Sequence, residues 1–205
     1  MQSYGLVSIG SHTGIWLQEE LKSFNLKKNI LIEPVPYNIN QLEENTKKFH
    51  NVIIEKSAVS DKDETVSFFY LKKDSIDQLK KHWATGIGSF DKSHLLNHRS
   101  KRFLITDDHI EEIKINCISF KSLKKKYDIQ SIDKLMIDVE GAEFKILNSI
   151  NYKEIKIKEI FFEKKHFDGY MKQGEKFAMI KQKLEENNFI LEDVDAENIL
   201  ATLKK

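Results

Sequence analysis

Leu135-Met-Ile-Asp-Val-Glu-Gly-Ala-Glu143 is the stretch on which the reading of this chain turns. Lys134-Leu-Met-Ile-Asp138 has the length and apolar content of a buried strand, and Gly141 permits a sharp turn behind it. The residues from Ala142 to Ile150 then take a helical pattern. A buried strand that ends on an acid and turns into a helix belongs in an α/β sheet, where ligands gather at the carboxyl ends of strands. Asp138, Glu140 and Glu143 place three carboxylates within six residues. Such crowding is costly unless the acids meet a cation, hydrogen-bond donors or water. A sulfonium, a metal ion, or a substrate amine or hydroxyl would each supply a reason. Glu143 also stands in the first turn of the helix, where an acid suits the helix dipole, so its role reads as structural.

Working outward, short apolar runs alternate with longer amphipathic ones. Leu6–Ile9 reads as a strand, Gly10-Ser-His-Thr-Gly14 as a loop, and Ile15 to Phe24 as a helix. Asn29–Glu33 is a second buried strand that Pro34 and Pro36 break, with a helix from about Asn38 to Phe49 and a third strand at Val52–Ile54. This β-α-β-α-β order implies a parallel sheet with right-handed crossovers. Thr65–Tyr70 suits an additional edge strand. Residues 72 to 110 lack a clean period and carry Gly86-Ile-Gly88 and four histidines, His82, His94, His98 and His109. A stretch of that kind reads as a lid or substrate-binding excursion. Alternation resumes with a strand at Ile113–Cys117 and a helix capped by Ser119 that runs to about Tyr127. A strand follows at Glu159–Glu163, and then a helix from about Gly174 to Asn188 with Phe177, Ile180 and Leu184 on one face. Phe189–Leu191 and Ile199–Leu203 fit a closing antiparallel hairpin. The expectation is one α/β domain over 1–205, on a mostly parallel sheet with helices on both faces.

Composition narrows the function classes. The 205 residues carry 33 basic and 32 acidic side chains, a formal net charge of +1. That balance disfavours a dedicated nucleic-acid binder, which needs a basic excess. Lys27-Lys28, Lys47-Lys48, Lys80-Lys81 and Lys124-Lys125-Lys126 read as solvated surface. Cys117 is the single cysteine, so neither an internal disulfide nor a cysteine zinc cluster is available. No apolar run approaches the roughly 20 residues of a membrane span. Met1-Gln-Ser-Tyr-Gly5 lacks the basic n-region of a secretory signal. A reducing, cytoplasmic setting is expected.

Two further segments fall where a sheet would present chemistry. Gly10 and Gly14 allow a ligand close to the backbone, and the helix that follows favours an anionic group. Glu33, at the end of the second strand, can accept hydrogen bonds from a ribose diol, in a nicotinamide dinucleotide or in S-adenosylmethionine.

Asp138-Val-Glu-Gly-Ala-Glu-Phe-Lys-Ile-Leu147 resembles the central motif of the FkbM-type methyltransferase family. Ser8-Ile-Gly-Ser-His-Thr-Gly14 is similar to that family's cofactor loop, Glu33-Pro-Val-Pro36 to its ribose-binding strand end, and Asn45 to the polar end of its second helix. Ser57-Ala-Val-Ser-Asp61 resembles the segment near the adenine, Gly88-Ser89 the mid-loop pair, and Cys117-Ile-Ser-Phe-Lys-Ser-Leu123 the lead into the central strand. The resemblance runs from Leu6 to about Phe189. It implies a Rossmann-like class I methyltransferase with a seven-stranded sheet and S-adenosylmethionine as cofactor. It also implies O-methylation of a hydroxyl on a sugar, glycan or small metabolite. The cofactor would lie against Gly10, Ser11, His12, Thr13, Gly14, Glu33, Pro34, Ser57, Ala58, Ser89 and Asp138. Asp138, Glu140, Glu163 and His166 are the candidates near the chemistry, His166 because an imidazole suits a base near neutrality.

The chain departs from the family pattern at Ser8, where an acid is usual, and at His12 and Thr13, where asparagine is usual. It also begins almost at its first strand. These departures motivate one rival reading, a catalytically weakened binding module on the cofactor fold. A nicotinamide-dependent oxidoreductase is another, but it needs GxGxxG spacing and the loop offers only Gly10 and Gly14. Metal assistance by Asp138, Glu140 and Glu163 is a further alternative, with no metal ligand assigned. A homo-oligomer is compatible with the sequence.

Overall fold

A computed structural model describes residues 2–80, 83–98 and 104–204. Of the four histidines of the central excursion, His82 lies outside the described residues. The strands are β1 (Gln2–Ile9), β2 (Lys28–Ile32), β3 (Val52–Glu55), β4 (Ala58–Ser60), β5 (Glu64–Leu71), β6 (Ile110–Ser119), β7 (Ile129–Ile137), β8 (Lys156–Glu163), β9 (Phe189–Asp193) and β10 (Asn198–Leu203). The helices are α1 (Gln18–Ser23), α2 (Pro36–Thr46), α3 (Lys73–Leu79), α4 (Lys92–Asn97), α5 (Phe120–Lys126), α6 (Glu143–Ser149) and α7 (Glu175–Glu186).

Seven strands form one sheet in the order β3-β2-β1-β7-β8-β10-β9. The first five are parallel, and β10 runs antiparallel to both β8 and β9 as the expected closing hairpin. Side chains alternate across the sheet because the strand period is two. Leu6 and Leu31 pack with Leu17, Leu21 and Leu42 beneath α1 and α2. Their neighbours Val7, Ile9, Ile30 and Ile32 join a larger core with Phe120, Leu123, Ile146, Leu147, Ile180 and Leu184 from α5, α6 and α7. Buried on both faces over most of their length, β1 and β2 read as largely apolar runs, while β7 is fully buried only at alternate or third positions.

The structure redraws several boundaries. β1 reaches back to Gln2, and α1 begins only at Gln18 after two turns of irregular chain. Pro36 opens α2 rather than preceding it, since proline at the first helical position gives up an amide hydrogen that the helix does not use. Ser119 caps α5 as expected, its Oγ accepting from the Ser122 amide. The strand expected at Ile113–Cys117 extends over Ile110–Ser119 and leaves the main sheet. It pairs with β4 and β5 in a separate three-stranded sheet, with β5 at one edge as expected. The central excursion is more ordered than its pattern implies. Two short helices, α3 and α4, and a 3-10 turn at Asp107–His109 surround their own small core of Leu71, Ala84, Ile87, Leu95, Ile105 and Ile110. Helices of seven and six residues are too short to display the 3.6-residue period that would reveal them.

Candidate functional site

The chain lays β2 and β3 to one side of β1 and β7 and β8 to the other, so strand order reverses between β1 and β7. At that switch point three strand ends meet. The Gly10 amide donates to the Ile32 carbonyl at 3.0 Å, and the Asp138 amide donates to the Ile9 carbonyl at 3.0 Å. Gly10 has φ +83°, and a Cβ there would sit 1.7 Å from the Asp138 carbonyl oxygen. Only glycine lets the first loop cross the end of β7 so closely. Ser11 pins the loop from inside, its Oγ donating to the Ser8 carbonyl and accepting from the Ile32 amide, each at 3.0 Å. The Thr13 carbonyl accepts from Asn45 Nδ2 at 2.8 Å. Ser11, Thr13 and Gly14 therefore shape the loop from within, while Gly10 and His12 face a cavity of about 530 Å³.

Glu33, Pro34, Ser57 and Ala58 line that cavity, as do Asp138, Glu140 and Glu163. Glu33 is buried, and three donors hold it: the His12 amide at 2.9 Å, the Val35 amide at 3.1 Å and Asn38 Nδ2 at 3.2 Å. Burial outweighs these bonds and raises its carboxyl to about 7. A carboxylate offers about four lone-pair sites, so one remains. Asn38 adds another. Its Nδ2 also donates to the Thr85 carbonyl at 2.9 Å, which leaves its buried Oδ1 without a partner in a residue that lines the cavity. Asn38 received no role from the sequence, where it reads only as the start of a helix. The excursion closes this end: His12 Nε2 lies 2.7 Å from Thr85 Oγ1, and Trp83, Gly86, Gly88 and Phe90 line the cavity.

The Asp138–Glu143 loop forms the opposite wall. Glu140 at φ +54° and Gly141 at φ +108° are both left-handed, an uncommon conformation for glutamate. Glu143 holds this turn: its Oε1 accepts from the Val139 amide and its Oε2 from the Gly141 amide, both at 2.9 Å. Burial, against the pull of those amides, lifts the Glu143 carboxyl to about 8. Burial and the neighbouring Glu140 raise Asp138 to about 6. Glu163 rises to about 9 through burial and the charges of Asp138 and Glu140; Lys165 pairs with its Oε1, and its Oε2 is buried without a hydrogen bond. Lys165 also reaches Glu197 at 3.1 Å, and these carboxylates hold its ammonium charged against burial.

Glu140 goes the other way. Burial alone would raise it, but a hydrogen bond from His94 and the nearby charge of Lys165 take it below the usual range. Ser89 does not line the cavity; its Oγ donates to the Glu140 carbonyl at 3.1 Å and ties the excursion to the motif loop. His166 is 2% exposed and stands behind Glu140 with its Nε2 3.3 Å from Glu140 Oε2. Burial pushes its pKa down to about 3, which makes it a poor proton acceptor in this arrangement. Sequence reading passed over Lys165 and the roles of His94 and His98, although the spacing of the two histidines places them on one helical face.

Among the described residues no helix is long and apolar enough to cross a membrane. The sequence model of the methyltransferase FkbM domain matches residues 8–191. No curated protein matches the chain in sequence. Among solved structures, the fibrillarin/Nop5p complex contains a chain similar in fold, at 12% identity and TM-score 0.50, covering 100% of this chain and 73% of its own. A precorrin-6y C5,15-methyltransferase from Geobacter metallireducens aligns at 12% identity and TM-score 0.47, over 98% of this chain and 82% of its own. Aeropyrum pernix fibrillarin, with natively bound S-adenosyl-L-methionine, aligns at 10% identity and TM-score 0.45, over 98% and 67%.

Proposed function

The chain belongs to the FkbM methyltransferase family, and from that premise we propose that it methylates a hydroxyl of a sugar, glycan or small metabolite, with S-adenosylmethionine as its cofactor. The observation that carries this reading is the pairing of Glu33 with the unpartnered Asn38 Oδ1 in one cavity at the switch point. A ribose presents two hydroxyl donors side by side, and this wall offers two adjacent acceptors. The cavity's size also suits such a ligand, since small-molecule sites span about 300–1,000 Å³.

Gly10 would bring backbone close to the cofactor, Ser57 and Ala58 would flank its base, and Glu33 with Asn38 would hold its sugar. Bound there, S-adenosylmethionine supplies a methyl carbon already activated by its sulfonium. The chain's own task is to orient an acceptor hydroxyl in line, exclude water and take up the hydroxyl proton. Asp138 suits the last role best. It lines the cavity, and its carboxyl, raised to about 6, is both ionised and reasonably basic near neutrality. Glu163, raised to about 9, would hold its proton and serve as a donor, or stay paired with Lys165.

Calorimetry with S-adenosylhomocysteine tests the cofactor site. Binding by the wild-type chain that weakens in Asn38→Ala supports the reading, and absence of binding refutes it. Transfer of a labelled methyl group to members of a glycan and metabolite panel separates an enzyme from a binding module.

A further inference from the structure

His94 and His98 occupy α4 and its C-terminal cap, His166 follows β8, and Glu140 sits on the turn after β7. The four side chains arrive from three separate parts of the chain and converge. His94 Nε2 lies 2.9 Å from Glu140 Oε2, His166 Nε2 3.3 Å and His98 Nε2 3.9 Å from the same oxygen, while the Nε2 atoms of His94 and His98 are 3.1 Å apart. One ligand atom from each lies within 4.8 Å of all the others.

Hydrogen bonding among the four groups alone does not account for this arrangement. Three imidazole nitrogens crowd one carboxylate oxygen, and His166 Nε2 is buried with no hydrogen-bond partner. A four-coordinate ion with bonds of about 2.0–2.1 Å to nitrogen and oxygen would have ligand atoms about 3.3 Å apart. Four of the six separations, at 2.9, 3.1, 3.3 and 3.9 Å, bracket that edge, and all six fall within 4.8 Å. We propose that His94, His98, Glu140 and His166 bind one divalent first-row transition-metal ion at the wall of the cavity. Three imidazoles and one carboxylate favour such an ion over magnesium or calcium, which take all-oxygen sets.

Three contacts must change on binding. The Met171 amide donates to His166 Nδ1 at 3.1 Å, which leaves the ring proton on Nε2 when the imidazole is neutral. Coordination through Nε2 requires that proton on Nδ1, so the Met171 amide has to turn away. The His94–Glu140 and His98–His94 hydrogen bonds give way as well, because each Nε2 must shed its proton to Nδ1 or to solvent and present a lone pair to the ion. The set differs from the all-carboxylate group of Asp138, Glu140 and Glu163 considered from the sequence. It stands independently of methyl transfer, because metal retention needs neither cofactor nor acceptor.

The full chain, stripped with chelator and dialysed, is titrated with Co²⁺ and Zn²⁺ separately. One equivalent of either metal retained through gel filtration is expected, with visible absorption from cobalt in a nitrogen-rich, low-coordinate site. His98→Ala, at a half-buried position, and Glu140→Gln should each weaken retention at least tenfold. Circular dichroism establishes that each variant is folded. Failure of the folded wild-type chain to retain either metal would overturn the proposal. So would unchanged affinity in both folded variants, which would place the ion on other histidines. Calorimetry with S-adenosylhomocysteine on the stripped chain reports separately on the cofactor site, so the two readings can fail independently.

Discussion

At the scale of single residues, Glu33 and Gly10 support the sharpest expectations. Glu33 can add a ribose hydroxyl to the three donors it already accepts from only as a carboxylate, yet burial raises it to about 7 in the ligand-free chain. The bound diol favours the ionised form, so S-adenosylhomocysteine should bind more tightly at pH 8 than at pH 6, releasing a proton at the lower pH. Calorimetry in buffers of different ionisation enthalpy reads both effects. Glu33→Gln should weaken binding by about 10- to 100-fold, from the worth of hydrogen bonds to a charged group, and abolish the pH dependence. A pH-independent affinity in the wild type would count against Glu33 as the sugar's anchor. Gly10→Ala tests geometry rather than charge. Its new Cβ would meet backbone at 1.7 Å, whereas one at Gly169, φ +116°, meets nothing within 4 Å. Gly169→Ala should therefore cost only the backbone strain, about 1–2 kcal/mol, and Gly10→Ala clearly more, as compared by thermal unfolding.

At the scale of elements, legibility followed burial. β1 and β2 were readable because strands covered on both faces become apolar runs, β7 and β8 because their carboxyl-terminal halves are apolar, and Gly141 and Pro36 punctuate their neighbours. The motif loops were readable too, since Gly10, Glu33 and Asp138 fall directly at strand ends. β4 was not: three residues, Ala58–Ser60, carry no period of their own. Nor was the placement of β6, whose partners β4 and β5 lie far from it in sequence. Asn38, His94 and His98 went unassigned for a related reason. Their place in the structure depends on contacts to distant segments, Asn38 on Thr85 and His94 on Glu140. Those same contacts make the excursion's behaviour testable. The segment around 83–98 is held to the cavity by Thr85 and Ser89, so a filled cavity should steady it. Limited proteolysis should cut there more slowly with S-adenosylhomocysteine present, and Ser89→Ala should speed cutting in its absence. Cleavage indifferent to the ligand would argue against a lid.

At the scale of the whole molecule, the strand ends that build the cavity also concentrate buried acid, and this couples stability to pH. Glu33 and Glu143 are raised to about 7 and about 8 from an ordinary value of 4.5. The folded chain thus binds protons that the unfolded chain has released. Stability from such groups is fully present below pH 4.5 and is lost as pH rises toward each folded value. His98 and His166 are pushed down by burial and act in the opposite direction, but their window closes near pH 6.5. Between pH 6.5 and 8.5 the acids govern. Glu143 alone, titrating near 8, should remove on the order of 2 kcal/mol over that interval. For a chain of this size that corresponds to a fall in Tm of roughly 4–8 °C. Differential scanning calorimetry of the ligand-free chain measures it. Glu33→Gln, neutral at every pH, should fall less steeply up to about pH 7 and in parallel with the wild type beyond it. A Tm that holds or rises from pH 6.5 to 8.5 would mean that these carboxylates are already ionised in the folded chain. Their charge would then have to be balanced by the amides that already donate to them, those of His12 and Val35 for Glu33 and of Val139 and Gly141 for Glu143.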